Sequence, residues 1–226
     1  MKTIAIIPSG GKGVRVGGDI PKQYIKLQGK EIIAHTIQVF QSCDLIDEII
    51  IAAQPEYFGL LEKIKSTYNF SKIRGMVEGG DSRQDSVYNA LKSISPEQDL
   101  FITVHDAARP LIAPEIISEG IKQAVECGSS VTAIPAKDTI LYGTEWVDGY
   151  IDRNSVFYVQ TPQTSKYDIL IKSFEKANES GFQGTDESML VRNAGFKVKV
   201  VEGSTLNFKI TTKDDLIIAD NILSNG

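Results

Sequence analysis

The sequence predicts an α/β protein: a mostly parallel, twisted sheet with helices on both faces and a β-hairpin arm that leaves it. Three observations carry this. Short, continuous apolar runs rich in β-branched residues recur at 3–7, 48–53, 73–77, 100–104 and 131–135, each of a length that suits a strand buried on both faces. Stretches with helical spacing lie between them, and strands that alternate with helices make βαβ units whose strands run parallel. The rhythm then breaks at 137–160, which predicts the arm. In a sheet of this kind, ligands sit outside the carboxyl ends of the strands.

The helices are read in order from their apolar stripes and caps. Ile33, Ile37 and Phe40 fall on one helical face, and so do Ile117, Ile121, Ala124 and Val125. Ser82 and Asp85 have the spacing of a capping pair, ahead of a helix that runs to about Leu91. Thr212 and Asp215 repeat that spacing before a last helix carrying Leu216, Ala219 and Leu223. Within 137–160, Thr139-Ile140-Leu141-Tyr142 and Tyr150-Ile151 flank the turn-rich segment 143–149, which holds Trp146, the only tryptophan. Such a hairpin either packs its aromatics on a partner subunit or folds back as a flap on its own domain, and the pattern does not choose between them.

At 226 residues the chain fits one large domain, 1–226, with 137–160 as an appendage. Its net charge of -5 gives no support to a general nucleic-acid binder, so an anionic ligand must meet a local cluster of cations. Cys43 and Cys127 lack metal-like or redox-like spacing and read as buried thiols in a reducing compartment. The opening apolar run ends at Pro8, too soon for a signal peptide, and no run approaches the roughly 20 residues that span a bilayer. The expectation is a cytoplasmic protein.

Chemistry gathers after the first strand. Gly10, Gly11 and Gly13 let backbone amides approach an anion, and Arg15 and Lys22 add positive charge nearby. A tight turn explains the glycines equally well. A dinucleotide fingerprint fails because Val16 stands at its third glycine, and a P-loop fails because Gly13 follows Gly11-Lys12 where Ser or Thr is required. A long loop folding over a nucleotide, with Pro21-Lys22-Gln23-Tyr24 as its far wall, remains open.

Further runs follow in order: Gly79-Gly80-Asp81-Ser82-Arg83 with Asp85-Ser86-Val87, His105-Asp106-Ala107-Ala108-Arg109-Pro110, Lys137-Asp138-Thr139, Asp152-Arg153-Asn154, Gln160-Thr161-Pro162-Gln163, Thr185-Asp186-Glu187 and Asn207-Phe208-Lys209-Ile210-Thr211. As an ordered set, from about residue 3 to 220, they resemble the 2-C-methyl-D-erythritol 4-phosphate cytidylyltransferases. The resemblance implies a Rossmann-like nucleotidyltransferase fold, a three-layer sandwich. It implies transfer of a cytidylyl group from CTP to an alcohol phosphate with loss of pyrophosphate, assisted by Mg²⁺ held mainly on the CTP phosphates. It also implies a homodimer joined through 137–160.

By that resemblance, Arg15, Lys22 and Lys209 steady charge on the phosphates, and the backbone of Ser9, Gly10, Gly11, Lys12 and Gly13 cradles the triphosphate. Gly80, Asp81 and Ser86 meet the base, while Asp106, Ala107 and Arg109 complete the base and ribose pocket. Thr139, Arg153, Thr161, Thr185 and Lys209 surround the alcohol phosphate, with Thr139 and Arg153 approaching a partner's site. His35 and His105 receive no role in the reaction. The chain departs from the family at Pro8-Ser9-Gly10, where small alanines are common, and at Val16, which replaces a common methionine; Ser9 would add a hydroxyl contact. A sister group that uses ribitol 5-phosphate shares most of these runs. A silent nucleotide-binding protein on the same fold and a distant NAD-dependent oxidoreductase complete the alternatives.

Overall fold

The computed structural model describes residues 1–11 and 20–225. The fold is organised around alternation along its first strand. In β1 (Lys2–Pro8), Ile4 and Ile6 pack on one face of the sheet while Ala5 and Ile7 pack on the other, because successive side chains of a strand point to opposite faces. On the second face lie α1 (Ile32–Ser42), which follows the small ribbon of β2 (Lys26–Leu27) and β3 (Lys30–Glu31), and α2 (Phe58–Thr67). The first face is covered by α3 (Arg83–Lys92) and by two helices from late in the chain, described below. Ile33, Ile37 and Phe40 of α1 are fully buried, as their spacing predicts.

The central sheet has the order β11-β7-β10-β6-β1-β4-β5 among the described residues. Its strands are β4 (Glu48–Ala53), β5 (Ile73–Glu78), β6 (Leu100–Val104), β7 (Ser129–Pro135), β10 (Phe157–Lys166) and β11 (Lys199–Glu202), beside β1. All pairings are parallel except those of β10, which runs antiparallel between β6 and β7. Ile6 lies between Ile50 of β4 and Val104 of β6. From β1 the chain builds outward through β4 and β5, then returns to place β6 on the other side. The carboxyl ends of β1 and β6 therefore flank a topological switch point, where loops diverge and leave a crevice.

The five strands read from apolar runs are all present, and β10 and β11 are additional. The interior of β10 is polar: Gln160, Thr161, Gln163, Thr164 and Ser165 are all buried. Cross-strand hydroxyls satisfy two of them, with Thr164 Oγ1 2.8 Å from Thr103 Oγ1 and Ser165 Oγ 2.7 Å from Ser129 Oγ, while Gln160 donates to Ser204 O and Gln163 accepts the Ser188 N–H. A reading based on hydrophobicity has no purchase on a strand buried through hydroxyl pairs.

Between β6 and β7, α4 (Pro114–Cys127) buries Ile117, Ile121 and Ala124. Val125 departs from expectation and is 47% exposed. It lies about 80° around the helix from Ile117, past the edge of the buried stripe. Cys127, at the end of α4, is also exposed rather than buried; Cys43 is buried, and the two are unpaired. After β10 come α5 (Tyr167–Ser180) and α6 (Glu187–Asn193), the late helices that complete the first face, and α7 (Lys213–Ser224) closes the chain. Both expected capping boxes form, Ser82 with Asp85 and Thr212 with Asp215. Ala219, Leu216 and Leu223 of α7 pack with Leu27 and Ile32 in a small separate cluster.

The arm consists of β8 (Ile140–Gly143) and β9 (Val147–Ile151), which pair only with each other. Trp146 is 82% exposed, and Leu141, Tyr142, Val147, Tyr150 and Ile151 are exposed too. The flap alternative is thereby set aside, since a flap would bury these side chains against its own domain.

Candidate active site

A cavity of about 400 Å³ opens at the switch point. One wall is the exit of β1, with Pro8, Ser9, Gly10 and Gly11; another is the β5–α3 loop, with Gly80, Asp81, Ser82, Arg83 and Ser86. Asp106, Ala107 and Ala108 beyond β6, then Lys22, Gln23 and Lys209, complete it. Segments as distant in the chain as Pro8 and Lys209 thus meet at the switch point.

The two glycine loops converge on Ser86, whose Oγ would lie 3.3 Å from a Cβ added at Gly10. Its Oγ accepts the Gly80 N–H at 3.1 Å and donates to Ser82 O at 2.8 Å, fixing the loop to the first turn of α3. Gly80 has no room for a side chain, because an added Cβ would lie 2.3 Å from Asp85 Cβ. Ser9 plays a different part from the one expected. Its N–H donates to Ala52 O at 2.7 Å, continuing the β1–β4 pairing, and its hydroxyl is 3.1 Å from Tyr24 Oη. The first cavity-lining residue of this loop whose N–H is not taken up by the sheet is therefore Gly10, not Ser9. Lys12, Gly13 and Arg15, together with Val16, lie outside the described residues.

Asp106 is the electrostatic centre. Arg83 Nε lies 2.9 Å from Oδ1, while Lys209 Nζ at 3.0 Å and Arg109 Nε at 3.3 Å meet Oδ2. Burial alone would raise its pKa, but Arg83, Lys209 and Arg109 outweigh that and hold the carboxyl well below the usual range. Arg83 also forks onto Glu187 at 2.6 and 3.1 Å, a bidentate pair joining α3 to α6. Burial opposes the charge on Arg83, and Glu187 with Asp106 more than restores it, so its pKa is raised. Desolvation lowers the pKa of Arg109 despite Asp106.

The segment with Lys209 is held from three sides. Arg109 Nη1 donates to Asn207 O at 2.7 Å, Asn207 Nδ2 donates to Thr161 O at 2.8 Å, and Lys22 Nζ donates to Ile210 O at 2.6 Å. Two lysines distant in sequence are thereby fixed on one wall. Beneath Asp106 lies fully buried His105. The Asp106 N–H donates to Thr161 Oγ1 at 3.1 Å; since His105 Nε2 faces the Arg109 carbonyl, which can only accept, the neutral ring accepts the Thr161 hydroxyl proton at Nδ1, 3.1 Å away. Nε2 is then the protonated nitrogen and donates to Arg109 O at 3.2 Å. Burial pushes His105 down to about 4, so it is neutral near pH 7.

Of the residues expected at the site, Ser9, Gly10, Gly11, Lys22, Gly80, Asp81, Ser86, Asp106, Ala107 and Lys209 line the cavity. Arg109 stands behind Asp106. The other expected contacts are not gathered there within one chain. Thr161 is buried with its hydroxyl engaged on both sides. Thr185 is exposed beside Met189, Thr139 is exposed, and Arg153 donates to Lys137 O at the base of the arm. Reading the sequence missed Arg83, Glu187 and Gln23 as functional parts. Arg83 offered a signal, as the only cation in the second glycine-rich run.

A mostly parallel three-layer sandwich, with glycine loops and lysines around a crevice at its switch point, defines a Rossmann-like nucleotidyltransferase. Comparison with known proteins narrows the class. Residues 3–225 match the profile of the family 2-C-methyl-D-erythritol 4-phosphate cytidylyltransferase. The protein of that name from Alkaliphilus oremlandii is 42% identical over 98% of this chain and 95% of its own. That from Clostridioides difficile is 44% identical over 97% and 92%. Among solved structures, the Francisella tularensis 2-C-methyl-D-erythritol 4-phosphate cytidylyltransferase superposes with a TM-score of 0.84 at 34% identity, covering 97% of this chain and 99% of that one. The Anaerococcus prevotii 4-diphosphocytidyl-2C-methyl-D-erythritol synthase gives 0.87 at 30% identity, covering 99% and 96%. The chain belongs to the 2-C-methyl-D-erythritol 4-phosphate cytidylyltransferase family.

Proposed function

We propose that the protein transfers the cytidylyl group of CTP to 2-C-methyl-D-erythritol 4-phosphate, giving the 4-CDP alcohol and pyrophosphate, a step of non-mevalonate isoprenoid synthesis. The observation that carries this is the cavity itself, with glycine loops on two walls and Lys22 and Lys209 on a third, in a chain that matches the family over nearly its whole length. A phosphate oxygen of the alcohol attacks the α-phosphorus of CTP; a P–O bond forms and the bond to pyrophosphate breaks. Such a reaction calls for positioning and charge neutralisation more than covalent help. Gly10 and Gly11 offer amides to the triphosphate, Lys22 and Lys209 offset its growing charge, and the Gly80 loop meets the base.

Mg²⁺ belongs to this reading as a companion of the triphosphate. Among the described residues there is no group of three or more His, Cys, Asp or Glu side chains to hold a metal, and Asp106 is already engaged by three cations. The donor set does not fit a protein-held ion. The exposed apolar arm supports a homodimer, in which Arg153 and Thr139 would serve the partner's alcohol-phosphate site. No helix among the described residues is long and apolar enough to cross a membrane, in keeping with a cytoplasmic setting. The ribitol alternative is not favoured, since the relatives are named for methylerythritol phosphate.

Purified protein offered CTP with each alcohol phosphate, with pyrophosphate release followed, tests the reading. We expect kcat/KM for methylerythritol phosphate to exceed that for ribitol 5-phosphate by about 100-fold or more. Faster turnover of ribitol 5-phosphate would sink it.

A further inference from the structure

Where the chain leaves the sheet after β1, its carbonyls lose their ladder partners, and side-chain amides take them over. Gln23 Nε2 donates to Ser9 O at 2.7 Å and to Gly11 O at 3.1 Å. Gln54 Nε2 reaches Gly10 O at 3.5 Å, the longest of the three contacts. Gln23 is itself rigidly placed: it is 4% exposed, in a 3-10 turn closed by the Tyr24 N–H donating to Pro21 O at 2.9 Å. The next residue, Tyr24, stacks on Tyr57 with ring centroids 4.6 Å apart and contacts the Ser9 hydroxyl.

A trans peptide is planar, so the N–H of one residue points opposite to the carbonyl of the residue before it. Pinning Ser9 O toward Gln23 turns the Gly10 N–H the other way, and pinning Gly10 O toward Gln54 does the same for Gly11. Neither N–H has a hydrogen-bond partner among the described residues, and both glycines line the cavity. Two donors are thus held ready in a cavity that also carries Lys22 and Lys209, the arrangement that receives an anion.

We infer that Gln23 is a positioning residue for the nucleotide's phosphates: by holding Ser9 O it aims the Gly10 amide into the cavity, and by holding Gly11 O, beside the Gln54 contact to Gly10 O, it steadies the turn that carries the Gly11 amide. This rests on the cytidylyltransferase reading. Removing one such constraint, with donors to a charged acceptor misaligned, corresponds to about a 10- to 100-fold loss in kcat/KM for CTP.

Two variants of the full chain test it, with thermal melts to show that each is folded. Gln23→Met keeps the volume and removes the donor; its deficit toward CTP is expected to be the same at every pH. Gln23→Glu sets a carboxylate against two carbonyls at high pH, and protonation at low pH restores one donor. Its deficit relative to wild type is therefore expected to shrink as pH falls from 9 to 6, while KM for the alcohol phosphate stays within about twofold. If Gln23→Glu does not fold, Gln23→Met decides alone. Wild-type CTP kinetics from Gln23→Met, or a Gln23→Glu deficit that is flat with pH and shared equally by both substrates, would overturn the inference. If wild type itself does not turn over CTP, the functional reading fails instead, and calorimetric affinity for inorganic triphosphate judges the clamp: weakened by Gln23→Met if the clamp is right, unchanged if it is wrong.

Discussion

The cavity and the arm treat their side chains in opposite ways. Around the cavity, charged and polar groups are buried and cross-linked: Asp106 holds three cations, and Arg83 bridges it to Glu187. On the arm, apolar groups stand in solvent, and the two strands have only each other. One region satisfies its charges within its own chain and is shaped for a small ligand. The other leaves apolar surface uncovered, which is a form suited to a protein surface. The contrast teaches that burial of polarity and exposure of apolarity are both departures from the ordinary globular pattern, and each marks where the molecule meets something else.

The sharpest way to strain this comparison is to remove charge from the cavity. Lys22→Ala is expected to lower kcat by about 10² to 10³, roughly 3–4 kcal/mol of transition-state stabilisation, while leaving the thermal midpoint nearly unchanged. A rate within twofold of wild type, measured by pyrophosphate release, would show that Lys22 is not part of the phosphate site.

A smaller effect follows from His105. Its pKa lies below the unfolded value near 6.5, so the unfolded chain binds the extra proton and folding stability falls as pH drops from 6.5 toward 4. With a folded value of about 4, the loss from this one group reaches roughly 3 kcal/mol at the acid end. Denaturant titrations across that window should show a flatter slope in His105→Asn than in wild type. An identical slope in both proteins would remove His105 from the account of acid sensitivity.

The arm gives the smallest expected energy. Trp146→Ser is predicted to weaken self-association by about 2 kcal/mol, roughly a 30-fold rise in the dimer dissociation constant by sedimentation. Unfolding of the dissociated chain should shift by no more than about 0.5 kcal/mol. Wild type that sediments as a monomer at high concentration would break this half of the comparison.

The contrast also explains what was legible in the sequence. Five strands announced themselves because apolar residues dominate each run, even in the edge strand β5 where only Ile73 is buried, and the two capping boxes follow from Ser82 with Asp85 and Thr212 with Asp215. Strand β10 was hidden because its burial runs through hydroxyl pairs such as Thr103 with Thr164. The cavity lining was readable where backbone chemistry needs glycine, at Gly10, Gly11 and Gly80. Gln23 and Glu187 were not, since each acts through a partner brought in by tertiary structure: Gln23 through carbonyls 12 and 14 residues away, Glu187 through an arginine 104 residues away. Ser9 shows the converse, a residue placed rightly at the cavity whose amide the sheet had already claimed.

Trp146 has a last consequence, for spectroscopy. It is the chain's sole tryptophan, and it sits 82% exposed at the turn of the arm, outside the clusters that pack on the two faces of the sheet. Intrinsic tryptophan emission from this protein is therefore a signal of the arm's surroundings. A blue shift would report the tip becoming covered, and melting of the core beneath the sheet would leave the emission maximum almost where it began. Circular dichroism must follow unfolding; fluorescence is left free to watch assembly.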